Sequence, residues 1–268
     1  MQFSKYTGSG NDFILIDNRK LFFDKDNHAL ISKLCHRQYG IGADGVILLE
    51  NSDAADFKMC IFNCDGFEAE MCGNGIRCLF LFIQECGDCR SSFVIETKSG
   101  AISLNQEGAH IKASMQNPLD IRWSIDLSID SASLKLHHLN TGVPHTVIFS
   151  DSIRESDLKE LAPKIRHHPA FLPKGTNVNF ATIKDKSKIS VRTYERGVEA
   201  ETLACGTGAT AAAIAAAYVH GICLPISVET KSGEELKINC TINETAITDV
   251  TMAGSALFVY KGDYNLRT

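Results

Sequence analysis

Apolar residues along this chain fall into two rhythms: short unbroken runs and longer stretches with helical spacing. Phe13-Ile14-Leu15-Ile16 follows the turn-forming Thr7-Gly8-Ser9-Gly10-Asn11-Asp12 and predicts a buried strand. Residues 28–39 have helical spacing, with Leu30, Ile31, Leu34 and Cys35 on one face and Gly40 as a C-cap. Residues 46–49 and 57–62 predict strands, the second turned by Asn63-Cys64-Asp65-Gly66. A helix is expected over 73–84, stopping at Cys86-Gly87, followed by strands over 93–95, 101–104 and 111–115.

The second half repeats this plan. Thr141-Gly142-Val143-Pro144-His145, then Val147-Ile148-Phe149, resembles Thr7-Gly8 and its strand. A helix over 158–165, capped by Ser156 or Asp157, is bent or shortened by Pro163. Strands are expected over 177–181, 189–194 and 226–228, and the alanine-rich segment 208–219 predicts a helix. Residues 254–260 have no counterpart at the end of the first half, so they are expected to cross back and pair with the N-terminal domain. The pattern therefore predicts an α+β protein of two pseudosymmetric domains of similar topology, facing each other across a central cleft. The domains are residues 1–117 plus 254–268 and residues 118–253, with the hinge near Asn117-Pro118.

One motif occurs in both halves. Met71-Cys72-Gly73-Asn74-Gly75 is followed, 24 residues after its cysteine, by Glu96-Thr97-Lys98-Ser99-Gly100. Ala204-Cys205-Gly206-Thr207-Gly208 is followed at the same spacing by Glu229-Thr230-Lys231-Ser232-Gly233. Upstream, Gly66-Phe67-Glu68-Ala69-Glu70 echoes Gly197-Val198-Glu199-Ala200-Glu201 with an offset of two residues. Glycines are poor helix formers, so their place at two helix starts needs another reason.

Composition narrows the chemistry. A formal charge of −5 with no basic run argues against a nucleic-acid partner. Residues 1–10 are polar and glycine-rich, unlike a signal peptide, and 209–219 is too short for a membrane span. A chain of 268 residues with periodic apolar segments does not need its ten cysteines as a disulfide scaffold. A reduced, cytoplasmic protein is expected. Cys86-Gly87-Asp88-Cys89 has no second CxxC at finger spacing, so no metal is expected. His137-His138 and His167-His168 point to alternate faces and are expected at the surface. Gly8-Ser9-Gly10 is too short for a nucleotide loop.

A helix N-terminus offers unpaired backbone N–H groups and a partial positive charge, and glycine lets a carboxylate approach closely. The same field favours thiolate over thiol. Two such turns facing each other would hold one α-carboxylate with a sulfur on either side of its α-carbon. One thiolate would remove the α-proton and the other thiol would return one, inverting the centre.

Gly8-Ser9-Gly10-Asn11-Asp12-Phe13, Asn63-Cys64-Asp65-Gly66, Met71-Cys72-Gly73-Asn74-Gly75-Ile76-Arg77-Cys78, Asn177-Val178, Tyr194-Glu195-Arg196-Gly197 and Ala204-Cys205-Gly206-Thr207-Gly208 together resemble the diaminopimelate epimerases. The resemblance implies a cofactor-independent isomerase that interconverts LL- and meso-diaminopimelate, on the route to lysine and peptidoglycan. It makes Cys72 and Cys205 the catalytic bases, with Gly73, Asn74, Gly206 and Thr207 holding the reacting carboxylate. Asn11, Asn63, Asn177 and Arg196 would bind the distal end, Arg196 as a bidentate partner. Glu195 and His145 would assist proton transfer and hold the reacting ammonium. A homodimer with a contact at Tyr260 is also implied, with no membrane partner. Arg77 reads equally as a ligand contact or as a helix-surface or capping residue.

The chain departs from the family pattern at Val143, where many members have asparagine, and at Gly45, where some have glutamine. The segment 197–202 is one residue longer than the common form. These departures imply a looser distal pocket and broader substrate choice. Proline- or hydroxyproline-type racemases are the nearest alternative, although Asn74 and the Glu195-Arg196 pair speak against them. A thiol redox or metal-binding protein is the alternative from another class.

Overall fold

The computed structural model describes residues 1–130, 132–244 and 246–266. It contains two compact units: Met1–Ser114 with the segment from Ala253 onward, and Met115–Met252. Among the described residues no helix is long and apolar enough to cross a membrane.

Unit 1 opens with a hairpin of β1 (Gln2–Gly8) and β2 (Asn11–Asp17). Ser9 and Gly10 turn it, both at positive φ (49° and 89°), as a tight hairpin loop requires. Helix α1 (His28–Cys35) leads to β3 (Gly45–Glu50), which runs parallel to β2. β4 (Phe57–Asn63) returns antiparallel, and the short β5 (Glu68–Ala69) pairs with it. Helix α2 (Gly73–Glu85) then leads to β6 (Ser92–Thr97), parallel to β4, and the meander β7 (Gly100–Glu107) and β8 (His110–Ser114).

The unbroken apolar run of β2 reflects a strand covered on both faces. Phe13 and Leu15, with Ile47, Leu49, Met59 and Ile61, pack on α2, whose Ile76, Leu79, Phe80 and Ile83 are buried. Ile14 and Ile16, with Val46, Leu48, Cys60 and Phe62, face α1 through Ile31, Leu34 and Cys35. α1 is shorter than its periodicity suggests. His36 turns extended, and its Nδ1 accepts from the N–H groups of Gln38 and Tyr39, so the chain starts a new turn after Cys35.

Unit 2 repeats the order. β9 (Leu119–Ile129) pairs antiparallel with β10 (Ala132–Asn140), and β10 with β11 (Pro144–Phe149). A wide helical turn at Asp157–Leu161 joins α3 (Ala162–Arg166). Pro163 sits in the first turn of α3, where its missing N–H costs little. Asp157 accepts from the Arg154 backbone and guanidinium rather than from a helix N–H. β12 (Asn177–Ile183) runs parallel to β11, and β13 (Lys188–Glu195) antiparallel to β12. β14 (Ala200–Thr202), α4 (Gly206–His220), β15 (Ile226–Glu229), β16 (Glu235–Ile242) and β17 (Ile247–Gly254) complete the copy. α4 is buried on nearly every side through Ala209, Ala211–Ala213 and Ile214–Ala216, as an alanine helix enclosed by strands must be.

The last strand, β18 (Leu257–Asp263), crosses back to β1, from Gln2 opposite Asp263 to Thr7 opposite Leu257. The crossing is as expected, but the strand does have a counterpart. β9 closes the first sequence copy and pairs with β10, the first strand of the second copy, as β18 closes the second and pairs with β1. His137 and His138 also differ from expectation, being buried in β10 (4% and 3% exposed). His137 meets Trp123 and Phe149, and His138 stacks on Phe171 with Asp120 at 3.3 Å.

Candidate active site

Cys72 and Cys205 are the N-cap residues of α2 and α4, both extended (φ −140° and −125°), with no side-chain cap. Their carbonyls accept the first helical bonds, from Ile76 N–H at 2.9 Å and Ala209 N–H at 2.8 Å. The N–H groups of residues 73–75 and 206–208 therefore have no partner within their helices. The second glycine of each turn is set by close approach. A Cβ at Gly75 would stand 2.8 Å from Ile47 Cδ1, and one at Gly208 only 2.3 Å from Asn179 Oδ1.

The repeated Glu-Thr-Lys-Ser-Gly segments explain their fixed spacing. Lys98 bonds Glu68 of β5 at 2.8 Å, and Lys231 bonds Glu201 of β14. Glu68 lies opposite Phe62 on β4, and Glu201 opposite Tyr194 on β13. Glu68 thus corresponds to Glu201, four residues before each cysteine, rather than to Glu199 as the upstream echo suggests. In each unit a lysine ties the strand that enters the cysteine turn to the hairpin that follows the helix. Thr97 and Thr230 close those hairpins through their hydroxyls.

Around Cys72, Asn74 is buried, its Nδ2 donating to Asn11 Oδ1 at 2.8 Å. Asn11 Nδ2 donates in turn to Asp44 Oδ2 at 2.9 Å. Arg77 is fully buried, so it is not a helix-surface residue. Its guanidinium donates to Asn74 Oδ1, Gly73 O, Ser9 Oγ and Ser255 O, locking the turn to the β1–β2 hairpin. Thr210 holds Gly206 O in the same way at 2.9 Å. Asn63 is exposed, with its backbone in the turn that Gly66 closes. Gly45 lies opposite Asn63, and a Cβ there would stand 2.5 Å from Phe62 O, so this backbone does not admit glutamine.

Cys205 has a different setting. Its sulfur lies 3.5 Å from Thr207 Oγ1, which also meets His145 Nε2 at 2.9 Å. His145 Nδ1 lies 3.1 Å from Asn179 Nδ2; that amide donates also to Thr146 O, and its oxygen accepts from Thr193 Oγ1. Burial pushes His145 down to about 3, with His138 and Arg196 adding to the shift, so the ring is neutral. Burial raises the Cys205 thiol well above its ordinary range, and the neighbouring Glu195 carboxylate adds to this; hydrogen bonds from Thr207 and the Gly208 N–H pull the other way. Cys205 therefore rests protonated. Glu195 accepts from Thr202 at 2.9 Å. Asn177 is committed to the backbone, donating to Pro144 O and accepting from Arg196 N–H, while Arg196 Nη1 donates to Lys174 O.

The structure thus gathers Cys72, Gly73, Asn74 and Asn11 in unit 1. In unit 2 it gathers Cys205, Gly206, Thr207, His145, Glu195, Asn177 and Arg196. The sequence reading missed Asn179 and Thr193. Strand pairing shows what they replace. Phe13 lies opposite Gly45 as His145 lies opposite Asn177, and Ile47 and Ile61 face each other across β3–β4 as Asn179 and Thr193 do across β12–β13. A polar trio in unit 2 stands where unit 1 has an apolar one.

The sequence profile of the diaminopimelate epimerase family matches residues 3–119 and 138–259. A diaminopimelate epimerase of Flavobacterium psychrophilum is 40% identical, over 97% of this chain and 99% of that protein. One from Aquifex aeolicus is also 40% identical, over 98% and 97%. Among solved structures, a PhzF-family phenazine biosynthesis protein of Bacillus anthracis superposes with a TM-score of 0.73 at 16% identity, covering 99% of both chains. A hydroxyproline epimerase from Agrobacterium vitis superposes with a TM-score of 0.67 at 14% identity, over 98% of this chain and 90% of that one. At such identities these two share the fold.

Proposed function

Because this chain belongs to the diaminopimelate epimerase family, we propose that it interconverts LL- and meso-diaminopimelate by moving an α-proton between Cys72 and Cys205. The observation that carries this reading is the pair of cysteines, each the N-cap of a buried glycine-started helix. Inversion requires removal from one side of the α-carbon and delivery to the other, and these two groups are assigned those steps. A thiolate takes the α-proton, the carbon–hydrogen electron pair passes into the carboxylate as an enolate-like charge, and the second thiol protonates the carbon. One sulfur has gained a proton and the other lost one, which prepares the pair for the reverse reaction.

Backbone N–H groups at the two helix starts, those of Gly73, Asn74, Gly206 and Thr207, supply the stabilisation that an electron-sink cofactor supplies elsewhere, so the reaction is assigned no cofactor. Cys205, protonated at rest beside Glu195, suits proton delivery. In the other direction Glu195 is assigned the proton that Cys205 gives up. Asn11, Asn63, Asn177 and Arg196 are assigned to the distal end of the substrate. Asn177 uses one donor and its acceptor on the backbone, which leaves it one amide hydrogen for ligand. A cytoplasmic homodimer completes the reading. The dimer is supported by β18, whose Leu257, Phe258, Val259 and Tyr260 are all 42–58% exposed.

The test is incubation with LL-diaminopimelate in deuterated water under reducing conditions. The meso product should appear with one α-deuterium, and Cys72→Ala or Cys205→Ala should lower turnover by about three orders of magnitude. Normal turnover in either variant would remove the two-thiol assignment.

A further inference from the structure

We propose that Thr207 acts as a catalytic hydrogen-bond donor to the Cys205 sulfur, and that Asn179 is the positioning residue that makes it one. The inference rests on Cys205 being an acid–base group of the epimerisation.

The direction of each bond follows from the groups that have no choice. Thr146 O can only accept, so the Asn179 atom 2.9 Å from it is the amide nitrogen, and the amide oxygen faces the Thr193 hydroxyl at 2.9 Å. The other hydrogen of that nitrogen points at His145 Nδ1, 3.1 Å away. Nδ1 is therefore the accepting nitrogen of a neutral ring, and Nε2 carries the hydrogen. Nε2–H donates to Thr207 Oγ1 at 2.9 Å. The Thr207 hydroxyl keeps its own hydrogen free, and we assign that hydrogen to the sulfur 3.5 Å away, the last bond of the chain and the one the test below addresses. Every bond runs one way: from Thr193 and Asn179 through His145 and Thr207 to Cys205.

Such a chain favours the thiolate, and its buried members polarise one another. Thr207 and His145 keep their protons throughout; the proton that leaves Cys205 goes elsewhere, with the Glu195 carboxylate adjacent. The other charged or titratable groups facing this network are Glu195 on β13, Arg196 after it and His138 on β10. Glu195 opposes the thiolate, which is the reason a donor is needed. Phe13, Ile47 and Ile61, the corresponding positions of unit 1, cannot form this chain. Gly208 belongs to the same device, since any larger residue would displace Asn179.

The test is alkylation of Cys205 by iodoacetamide as a function of pH, read by mass spectrometry with Cys72 as the internal reference. Thr207→Val should move the Cys205 midpoint up by about one pH unit, and Thr207→Ser should restore it. Asn179→Leu should shift it the same way, and the double variant Asn179→Leu/Thr207→Val should move it no further than the larger single change. In turnover, Thr207→Val should lower kcat and leave KM within about twofold, because its backbone N–H remains. Equal midpoints in Thr207→Val and Thr207→Ser, or additive shifts in the double variant, would overturn the proposal. Alkylation does not depend on turnover, so an active Cys205→Ala enzyme would sink the epimerase assignment of Cys205 separately.

Discussion

The two cysteine turns share a backbone and differ in what stands behind them. Behind Cys72, β2, β3 and β4 present Phe13, Ile47 and Ile61; behind Cys205, the same ladder positions carry His145, Asn179 and Thr193. The duplicated parts are the helix start, the glycines and the lysine clamp. The strand residues below the turn give each sulfur its own environment. Duplication supplied two equal frames, and the strands beneath them furnish the two differently.

The sharpest way to break this contrast is to erase it. Replacing His145→Phe, Asn179→Ile and Thr193→Ile together should lower epimerisation by about 10²–10³-fold. The same triple variant should be more stable than Asn179→Ile alone, because the single change strands His145 Nδ1, Thr146 O and the Thr193 hydroxyl. Urea melts of the two proteins check this; a triple variant no more stable than the single would show that the trio is not a replaceable unit.

The converse change sharpens it. Ile47→Asn puts an amide among Phe13, Ile61 and α2 in the apolar core of unit 1, and should cost about 3–5 kcal/mol from lost burial and an unsatisfied group. A midpoint unchanged in urea would mean that the site reorganises to satisfy the amide.

A smaller effect separates the units by acidity. His145 and His138 are held at about 3 and about 4 by burial, against an ordinary value of 6.5. A depressed histidine stabilises the fold above its unfolded value, and that stability is lost as pH falls from 6.5 toward the folded one. In unit 1, desolvation works to raise Asp12, yet its bonds to Arg37 and Lys5 prevail and hold it at about 2, below its usual 3.8, so its loss comes only in stronger acid. Between pH 6.5 and 4.5, hydrogen exchange should therefore rise over residues 132–149 before residues 45–63. The reverse order would contradict the assignment.

Much of this was legible in the sequence because the helix starts and the short strands carry strong local signals. Cys72-Gly73 and Cys205-Gly206, the runs at 13–16 and 46–49, and the alanine helix fall as the pattern predicts. β1 was not legible, because Lys5 interrupts its apolar pattern. Lys5 is nonetheless buried, paired to Asp12 at 2.7 Å and to the Gly42 carbonyl. β9 carries a strict alternation through Ile121, Trp123, Ile125, Leu127 and Ile129, but sits just after the residues read as a hinge. Asn179 was hidden by a slip of register. The β13–β14 connection is one residue longer than that of β4–β5, so aligning the halves on their cysteines sets Ile47 against Phe180. An apolar-for-apolar match conceals the polar exchange next to it.

The pairing of β18 with β1 orders the birth of the molecule. On the ribosome, residues 2–8 emerge early and wait for a neighbour made only after all of unit 2. Met115–Met252 is contiguous and can close its own sheet while the nascent chain is still growing, whereas the Cys72 half is left with a bare edge until the last strand arrives. The half that carries the polar trio can thus be complete before the other, and translation pauses before residue 257 would prolong the exposure of the β1 edge.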